Sequence, residues 1–92
     1  MARVELTRHL YEYFPKLSEI DLDVDAPNVA GVIAELERRM PGFAFYVCDE
    51  AGRLRQHVNI FVGEEMIADR RSLTDTVGPT TRVLIMQALS GG

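Results

Sequence analysis

The side chains that could carry out chemistry are few in this sequence and lie far apart. Asp21, Asp23 and Asp25 alternate along a predicted strand, and such a row of carboxylates could in principle bind a metal ion. Neighbours on one face of a strand stand about 7 Å apart, too far to share one ion without further ligands. We therefore interpret this row as a solvated strand face and predict no metal site.

The two histidines and the single cysteine offer no catalytic set. His9 and His57 have no serine or cysteine partner arranged around them, so we expect both at the surface. Because Cys48 is the only cysteine, an internal disulfide, a thiolate zinc site and a plant-type iron–sulfur cluster are excluded. The adjacent carboxylates of Asp49 and Glu50 raise the pKa of a thiol, which disfavours a reactive thiolate. Because Cys48 also ends an apolar run, it is predicted to be a small core residue.

The remaining chemical group is the main chain at the end of the sequence. Residues 88–92 read Ala-Leu-Ser-Gly-Gly and follow directly on a strongly predicted strand. Gly91 and Gly92 lack a β-carbon, so the backbone there can enter a narrow channel and adopt any φ that an active site requires. Two terminal glycines taken alone are more typical of an inert tail, and it is their position after a strand, in a chain with the order of elements given below, that favours a function.

Composition restricts the class of protein. The 92 residues, 47% hydrophobic and 26% charged, suit one folded domain. The net charge of −4 has the wrong sign for a phosphate-binding surface, so no nucleic-acid partner is predicted. The longest apolar run, residues 43–48, is far shorter than the roughly 20 residues that span a bilayer, and the sequence opens with no signal-peptide pattern. We expect a cytoplasmic protein with no membrane partner.

Hydrophobic periodicity divides the chain into strands and one helix. Apolar residues alternate with polar ones near both ends and in the middle, which predicts strands. The predicted strands lie around residues 4–6, 20–24, 43–48, 54–62 and 83–86, with a short segment at 66–67. One helix is predicted over residues 28–40, behind the candidate N-cap Asn28, because five apolar residues recur at helical spacing: Val29, Val32, Ile33, Leu36 and Met40.

This order of elements predicts an α+β fold, the ubiquitin-like β-grasp. In it a mixed sheet of four to five strands is crossed by one main helix, and the first and last strands lie parallel at the centre. We expect residues 1–88 to form this single domain and residues 89–92 to form a flexible C-terminal tail ending in Gly-Gly.

Alternation also predicts an outward-facing apolar surface. If Val83 and Ile85 face the core, Leu84 and Met86 must face outward, and Phe61 must do the same next to Ile60. Large apolar side chains grouped on one sheet face typically mark a partner-binding site. A homodimer contact or a second small core remains the alternative interpretation.

Three segments of the sequence resemble the MoaD/ThiS sulfur-carrier family, whose best-known types are the small subunit of molybdopterin synthase and the thiamine sulfur carrier. They are residues 28–42, which end in Glu-Arg-Arg-Met-Pro-Gly, residues 53–65, and residues 82–92 with the terminal Gly-Gly. The resemblance covers nearly the whole chain. The additional residues around 43–56 make the chain more similar to the molybdopterin type than to the thiamine type.

The resemblance implies a carrier rather than an enzyme. In this family a ubiquitin-activating-type adenylyltransferase uses ATP to adenylate the terminal glycine, and sulfur then displaces AMP to leave a thiocarboxylate. Gly92 is then the attachment point and Gly91 its neighbour in the tail, while Phe61, Leu84, Met86, Leu89 and Ser90 contact partners. The carrier itself binds no cofactor. The sulfur is delivered to a synthase subunit or another accepting enzyme.

Three alternatives share parts of this interpretation. A ubiquitin-like protein modifier would be joined to other proteins through Gly92 after the same activation. A small subunit of a molybdopterin-synthase-type complex would insert its thiocarboxylate into a larger partner. A plain interaction module would have an inert tail. The acceptor of the sulfur stays open among molybdopterin, thiamine and other metabolites.

Overall fold

The computed structural model describes residues 1–7, 10, 12, 14, 15 and 22–87. Within them the elements, in chain order, are β1 (Ala2–Leu6), β2 (Asp23–Val24), α1 (Val29–Arg39), α2 (Phe43–Val47), β3 (Val58–Val62), β4 (Glu65–Met66) and β5 (Arg82–Gln87). The predicted domain boundary at residue 88 and the tail lie outside the described residues and stay predictions. None of the helices in the described part is long and apolar enough to cross a membrane.

The strands form one mixed sheet in the order β2-β1-β5-β3-β4. β1 and β5 pair in parallel at its centre, with Val4 beside Val83 and Leu6 beside Ile85. The other neighbouring strands pair antiparallel. This topology confirms the predicted β-grasp arrangement, in which the first and last strands are central.

The core lies between the inner face of this sheet and α1. Val83 and Ile85 on β5 are fully buried, as is Ile60 on β3. From the other side α1 buries a stripe of four apolar residues, Val29, Val32, Ile33 and Leu36. The prediction of an inward face is confirmed for these four side chains, and the fifth predicted member, Met40, is half-buried at the C-cap and packs against the core.

The beginning of α1 is held by its own cap and by a distant loop. The Asn28 side chain accepts a hydrogen bond of 2.8 Å from the backbone N–H of Gly31, which confirms Asn28 as the N-cap. The N–H groups of the first two helical residues, Val29 and Ala30, donate to the carbonyl oxygens of Asp75 and Leu73 at 3.1 and 2.9 Å, respectively. The loop before β5 therefore supplies acceptors that a helix N-terminus lacks by itself.

This loop, residues 69–75, is organised around one carboxylate. Asp69 accepts hydrogen bonds from the Thr74 hydroxyl and from three backbone N–H groups, those of Arg71, Ser72 and Thr74. These bonds, led by those from Thr74 and Ser72, lower the pKa of Asp69 to about 2. They enclose Leu73, which is buried although its φ of 57° lies in the left-handed region that side chains rarely adopt.

The prediction of a strand over residues 43–48 is wrong, because this segment forms the short helix α2. Phe43 and Val47, four residues apart, are fully buried, whereas Phe45 is 63% exposed, so the burial follows a helical period. The Glu37 carboxylate accepts from the backbone N–H groups of Gly42 and Ala44 and caps the helix.

The neighbouring predictions hold in part. The predicted turn at residues 49–52 exists, since the Asp49 N–H donates to the Arg53 carbonyl at 2.8 Å and Cys48 forms an isolated bridge with Leu54. The strand predicted over residues 54–62 begins only at Val58. The predicted strand at 20–24 is described only as Asp23–Val24, and Asp21 lies outside the described residues.

Replacing Leu36 with alanine tests the facing of α1. Leu36 is fully buried, so truncation removes apolar contacts and leaves a cavity. We expect the free energy of unfolding, measured by denaturant titration, to fall by about 2–5 kcal/mol. Ala34→Ser, on the exposed side of the same helix, is the control and should change it little. An unchanged stability of Leu36→Ala would contradict the observed packing.

Acid unfolding tests the role of Asp69. Its pKa is lowered from 3.8 to about 2 in the folded chain, so the carboxylate stabilises the fold above the unfolded-state pKa. This contribution is lost as pH falls towards about 2. The amide introduced by Asp69→Asn keeps an acceptor oxygen but does not titrate in this range. We therefore expect the variant's free energy of unfolding to fall less steeply than that of the wild type over this acidic range. Parallel curves would show that Asp69 contributes nothing through its charge.

Candidate partner-binding site

The outer face of the sheet carries a group of apolar side chains across its last three strands. Leu84 on β5 lies beside Phe61 on β3, and Phe61 lies beside Met66 on β4. Met86 lies one row further along β5, next to Asn59. We name Phe61, Met66, Leu84 and Met86 the outer-face patch.

The facing predicted for this surface is confirmed, but the degree of exposure differs. Val83 and Ile85 are fully buried, while Leu84 and Met86 between and after them point to the other side of the sheet. Met86 is exposed, at 36%, whereas Leu84 and Phe61 are less exposed and half-buried. Leu84 and Phe61 are direct cross-strand neighbours, and side chains at such positions come within contact distance and cover each other.

Met66 is the member of this patch that sequence reasoning missed. It is 52% exposed and continues the row formed by Leu84 and Phe61. The sequence predicted only a short segment around residues 66–67 and assigned no face to it. The pairing of Phe61 with Met66 across the β3–β4 turn, where Gly63 adopts a left-handed φ of 64°, determines which side Met66 faces.

Two ion pairs border the patch on the side of β1. The Nε atom of Arg3 lies 2.9 Å from a carboxylate oxygen of Asp23, and Arg82 lies 2.7 Å from a carboxylate oxygen of Glu5. All four side chains are well exposed, so these pairs add little to stability. Together with the patch they give an apolar centre with a charged rim, which is the usual composition of a protein interface.

Arg70 borders the other end of the patch, next to Asn59. Its guanidinium donates to Asn59 Oδ1 at 3.1 Å and to the carbonyl oxygens of Val58 and Arg55 at 2.8 Å. At the same end of the sheet the Gln87 N–H donates to Thr7 Oγ1 at 3.3 Å. The last described residue of β5 is therefore anchored next to the outer-face patch, at the point where the chain continues to residues 88–92.

The four predicted site residues after this point lie outside the described residues. They are Leu89, Ser90, Gly91 and Gly92. Their roles stay predictions, and the structure supplies the position of Gln87 from which they follow.

Cys48 lies within the core, as predicted. It is 6% exposed, and burial, followed by the negative charge of Asp49, raises the pKa of its thiol. A thiol of raised pKa is a poor nucleophile at neutral pH. His57 is exposed, as predicted, and His9 lies outside the described residues. Within the described part of the chain no group of three or more histidine, cysteine, aspartate or glutamate residues is placed to hold a metal ion.

A second concave surface lies on the helical side of the molecule. A groove of about 720 Å³ runs between α1 and α2, with Ile33 and Ala34 on one side and Phe45 on the other. The Arg55 guanidinium stacks on the Phe45 ring at 5.1 Å and donates to the Phe45 carbonyl oxygen. This groove is not predicted from the sequence, because residues 43–48 are interpreted there as a strand but form α2.

Comparison with known proteins gives structural matches alone. No family model matches the sequence, and no curated protein matches it either. A chain of the Amycolatopsis orientalis BexX/CysO complex aligns over 100% of both chains, with a TM-score of 0.82 and 20% identity. Mycobacterium tuberculosis CysO, described as an antigen, aligns over 97% of this chain and 100% of its own, with a TM-score of 0.80 and 21% identity.

Archaeal proteins share the same architecture. SAMP1 from Haloferax volcanii has a TM-score of 0.72 and 21% identity, with 99% of this chain and 98% of that chain aligned. The chain has the ubiquitin-like β-grasp fold. At these identities the matches establish the fold, and they extend over nearly the full length of each chain.

Proposed function

We propose that this chain is a sulfur carrier whose Gly92 carboxylate is adenylated by a partner and converted to a thiocarboxylate. The observation that carries the proposal is the placement of β5. This central strand presents Leu84 and Met86 on the outer face and leads directly into residues 88–92, which end in Gly-Gly. In this proposal one central strand carries the docking surface and continues into the reactive chain end.

The chemistry requires little of the carrier itself. A carboxylate is a poor electrophile, so a carboxylate oxygen of Gly92 first attacks the α-phosphate of ATP and pyrophosphate leaves. Sulfide then attacks the carbonyl carbon, a C–S bond forms, the C–O bond breaks and AMP departs. The partner holds ATP and the catalytic groups. The carrier contributes its terminal carboxylate, its tail and a surface that positions both, and it acts as a cosubstrate.

The outer-face patch is the surface that we assign to docking. Its exposed members are two methionines, whose flexible side chains adapt to more than one partner surface. Such adaptability suits a carrier, because it must bind first the activating enzyme and later the enzyme that accepts the sulfur. The structural match to a chain of the BexX/CysO complex supports partner binding, since in that complex a chain of this fold is solved together with a second protein.

A protein modifier is the second candidate, and a specific observation favours it. The matched structure from Methanosarcina acetivorans, with a TM-score of 0.75 and 18% identity over 99% of this chain and 95% of that one, is named small archaeal modifier protein 1. Activation at Gly92 is the same for a carrier and a modifier, and the acceptor differs. A thiocarboxylate on protein isolated from cells identifies the carrier, whereas amide-linked adducts to lysines of other proteins identify the modifier.

Met86→Arg tests the docking surface. Met86 faces outward and is 36% exposed, so a charge there leaves the core intact but enters the contact that a partner would dehydrate. We expect calorimetric binding to a ubiquitin-activating-type enzyme encoded near its gene to be lost, with the thermal midpoint almost unchanged. Ala34→Arg places the same side chain on the helical side and should leave binding unaltered. Unfolding of Met86→Arg, or wild-type affinity, would contradict the assignment.

An extension of the C-terminus tests the reactive group. One alanine added after Gly92 leaves every side chain in place but moves the carboxylate and adds a β-carbon, so activation should fail, as it should when Gly92 is deleted. Intact-mass spectrometry follows the reaction with activating enzyme, ATP and sulfide, and the wild type should show exchange of one oxygen for sulfur. If the wild type never shows this exchange, or the extended chain shows it untrimmed, the proposal is wrong.

A further inference from the structure

The basic residues of this chain are almost exclusively arginines. Nine of the ten are arginine, and Lys16 is the single lysine. Apart from the amino terminus, the chain therefore has one amine. An unprotonated amine attacks activated acyl groups, whereas the guanidinium of arginine stays protonated and does not.

Some of these arginines are required by the fold. Arg70 reaches three acceptors with one planar group, and Arg55 donates two hydrogen bonds to the Phe45 carbonyl while stacking on its ring. An ammonium group on a lysine side chain cannot reproduce either arrangement. At these positions the geometry explains the choice of arginine.

Other arginines have no such structural reason. Arg3 and Arg53 each form one exposed ion pair, at 2.9 and 3.2 Å, of a kind that lysine forms equally well. Arg71 is exposed, and its side chain has no hydrogen bond or ion pair among the described residues. Positive charge is kept at all three positions, but without an amine.

The geometry of the sheet brings one of these positions within range of the chain end. Five residues follow Gln87, and when extended they span at most about 17 Å. The Gln87 N–H is bonded to Thr7, and Arg3 lies four residues back along β1, about 13 Å at the usual strand rise. An activated Gly92 thus has the length of chain needed to meet an amine at position 3 of its own molecule.

We propose that this chain is protected against acylation by its own activated C-terminus, because its basic side chains are guanidinium groups everywhere except at Lys16. The inference rests on the proposed activation of Gly92. In the reaction that it prevents, an amine nitrogen attacks the activated carbonyl carbon, a C–N bond forms and the bond to the leaving group breaks. The leaving group departs with the electron pair, the amine proton passes to water, and nothing is oxidised or reduced.

The test uses a Gly92 thioester of 2-mercaptoethanesulfonate, prepared by intein cleavage and incubated at mildly alkaline pH. Proteolysis and mass spectrometry then locate amide links at lysines, and links at the amino terminus are counted separately. In the wild type we expect lysine links only at Lys16, and none after Lys16→Arg. The triple variant Arg3→Lys, Arg53→Lys, Arg71→Lys raises the side-chain amines from one to four, so lysine-linked product should rise, and the new links should be led by position 3, which lies within reach of the chain end.

The matched control carries glutamine at positions 3, 53 and 71, which removes the charges without adding amines and should produce no rise. Arg3→Lys alone replaces the triple variant if that variant does not fold, since position 3 lies within reach of the chain end and its one ion pair is exposed. Unmodified new lysines, or an equal rise in the glutamine control, would overturn the inference. The thioester is made chemically, so this result is independent of whether a partner adenylates Gly92.

Discussion

The structure depends on the parallel pairing of β1 with β5, which places the first and last strands side by side at the centre of the sheet. Parallel neighbours require a long connection, and α1 supplies the part of it that covers one face of the sheet. Residues from both ends of the chain, such as Val4 and Val83, therefore share one core. The chain end is thus attached to a strand with neighbours on both sides, and the fold holds it firmly up to Gln87.

The sequence was sufficient to predict the parts of the fold where the local pattern and the tertiary packing agree. Val29, Val32, Ile33 and Leu36 have a helical period and a capping residue, and they meet the sheet as expected. Residues 43–48 are different, because six consecutive apolar residues contain no period that distinguishes a strand from a buried helix. Contacts outside the segment decide the outcome: the Glu37 carboxylate caps it, and the Phe14 ring packs edge-on against Phe43. Neither contact is visible in the local pattern.

The candidate site divides in the same way. Alternation along β5 predicts which side chains face outward, and this holds because a strand has a strict period of two. The extent of the patch depends on register between strands, which places Met66 beside Phe61 and lets Leu84 and Phe61 cover each other. Register is a property of pairing over distance, so composition and periodicity did not assign Met66 to this face. The terminal carboxylate needs no side-chain pattern and is recognised only from the tail that precedes it.

The alternation along β5 also separates two demands that would otherwise conflict. Val83 and Ile85 stabilise the sheet against α1, while Leu84 and Met86 on the same strand are left to the solvent side. A change on the outer side alters what a partner meets but removes little buried area, so recognition can vary with small effects on stability. A carrier whose reactive group is a main-chain carboxylate has no catalytic side chain to position. In the proposed function the fold has one mechanical task, to hold the end of a central strand in fixed relation to the outer-face patch, and the parallel β1–β5 pair is suited to that task.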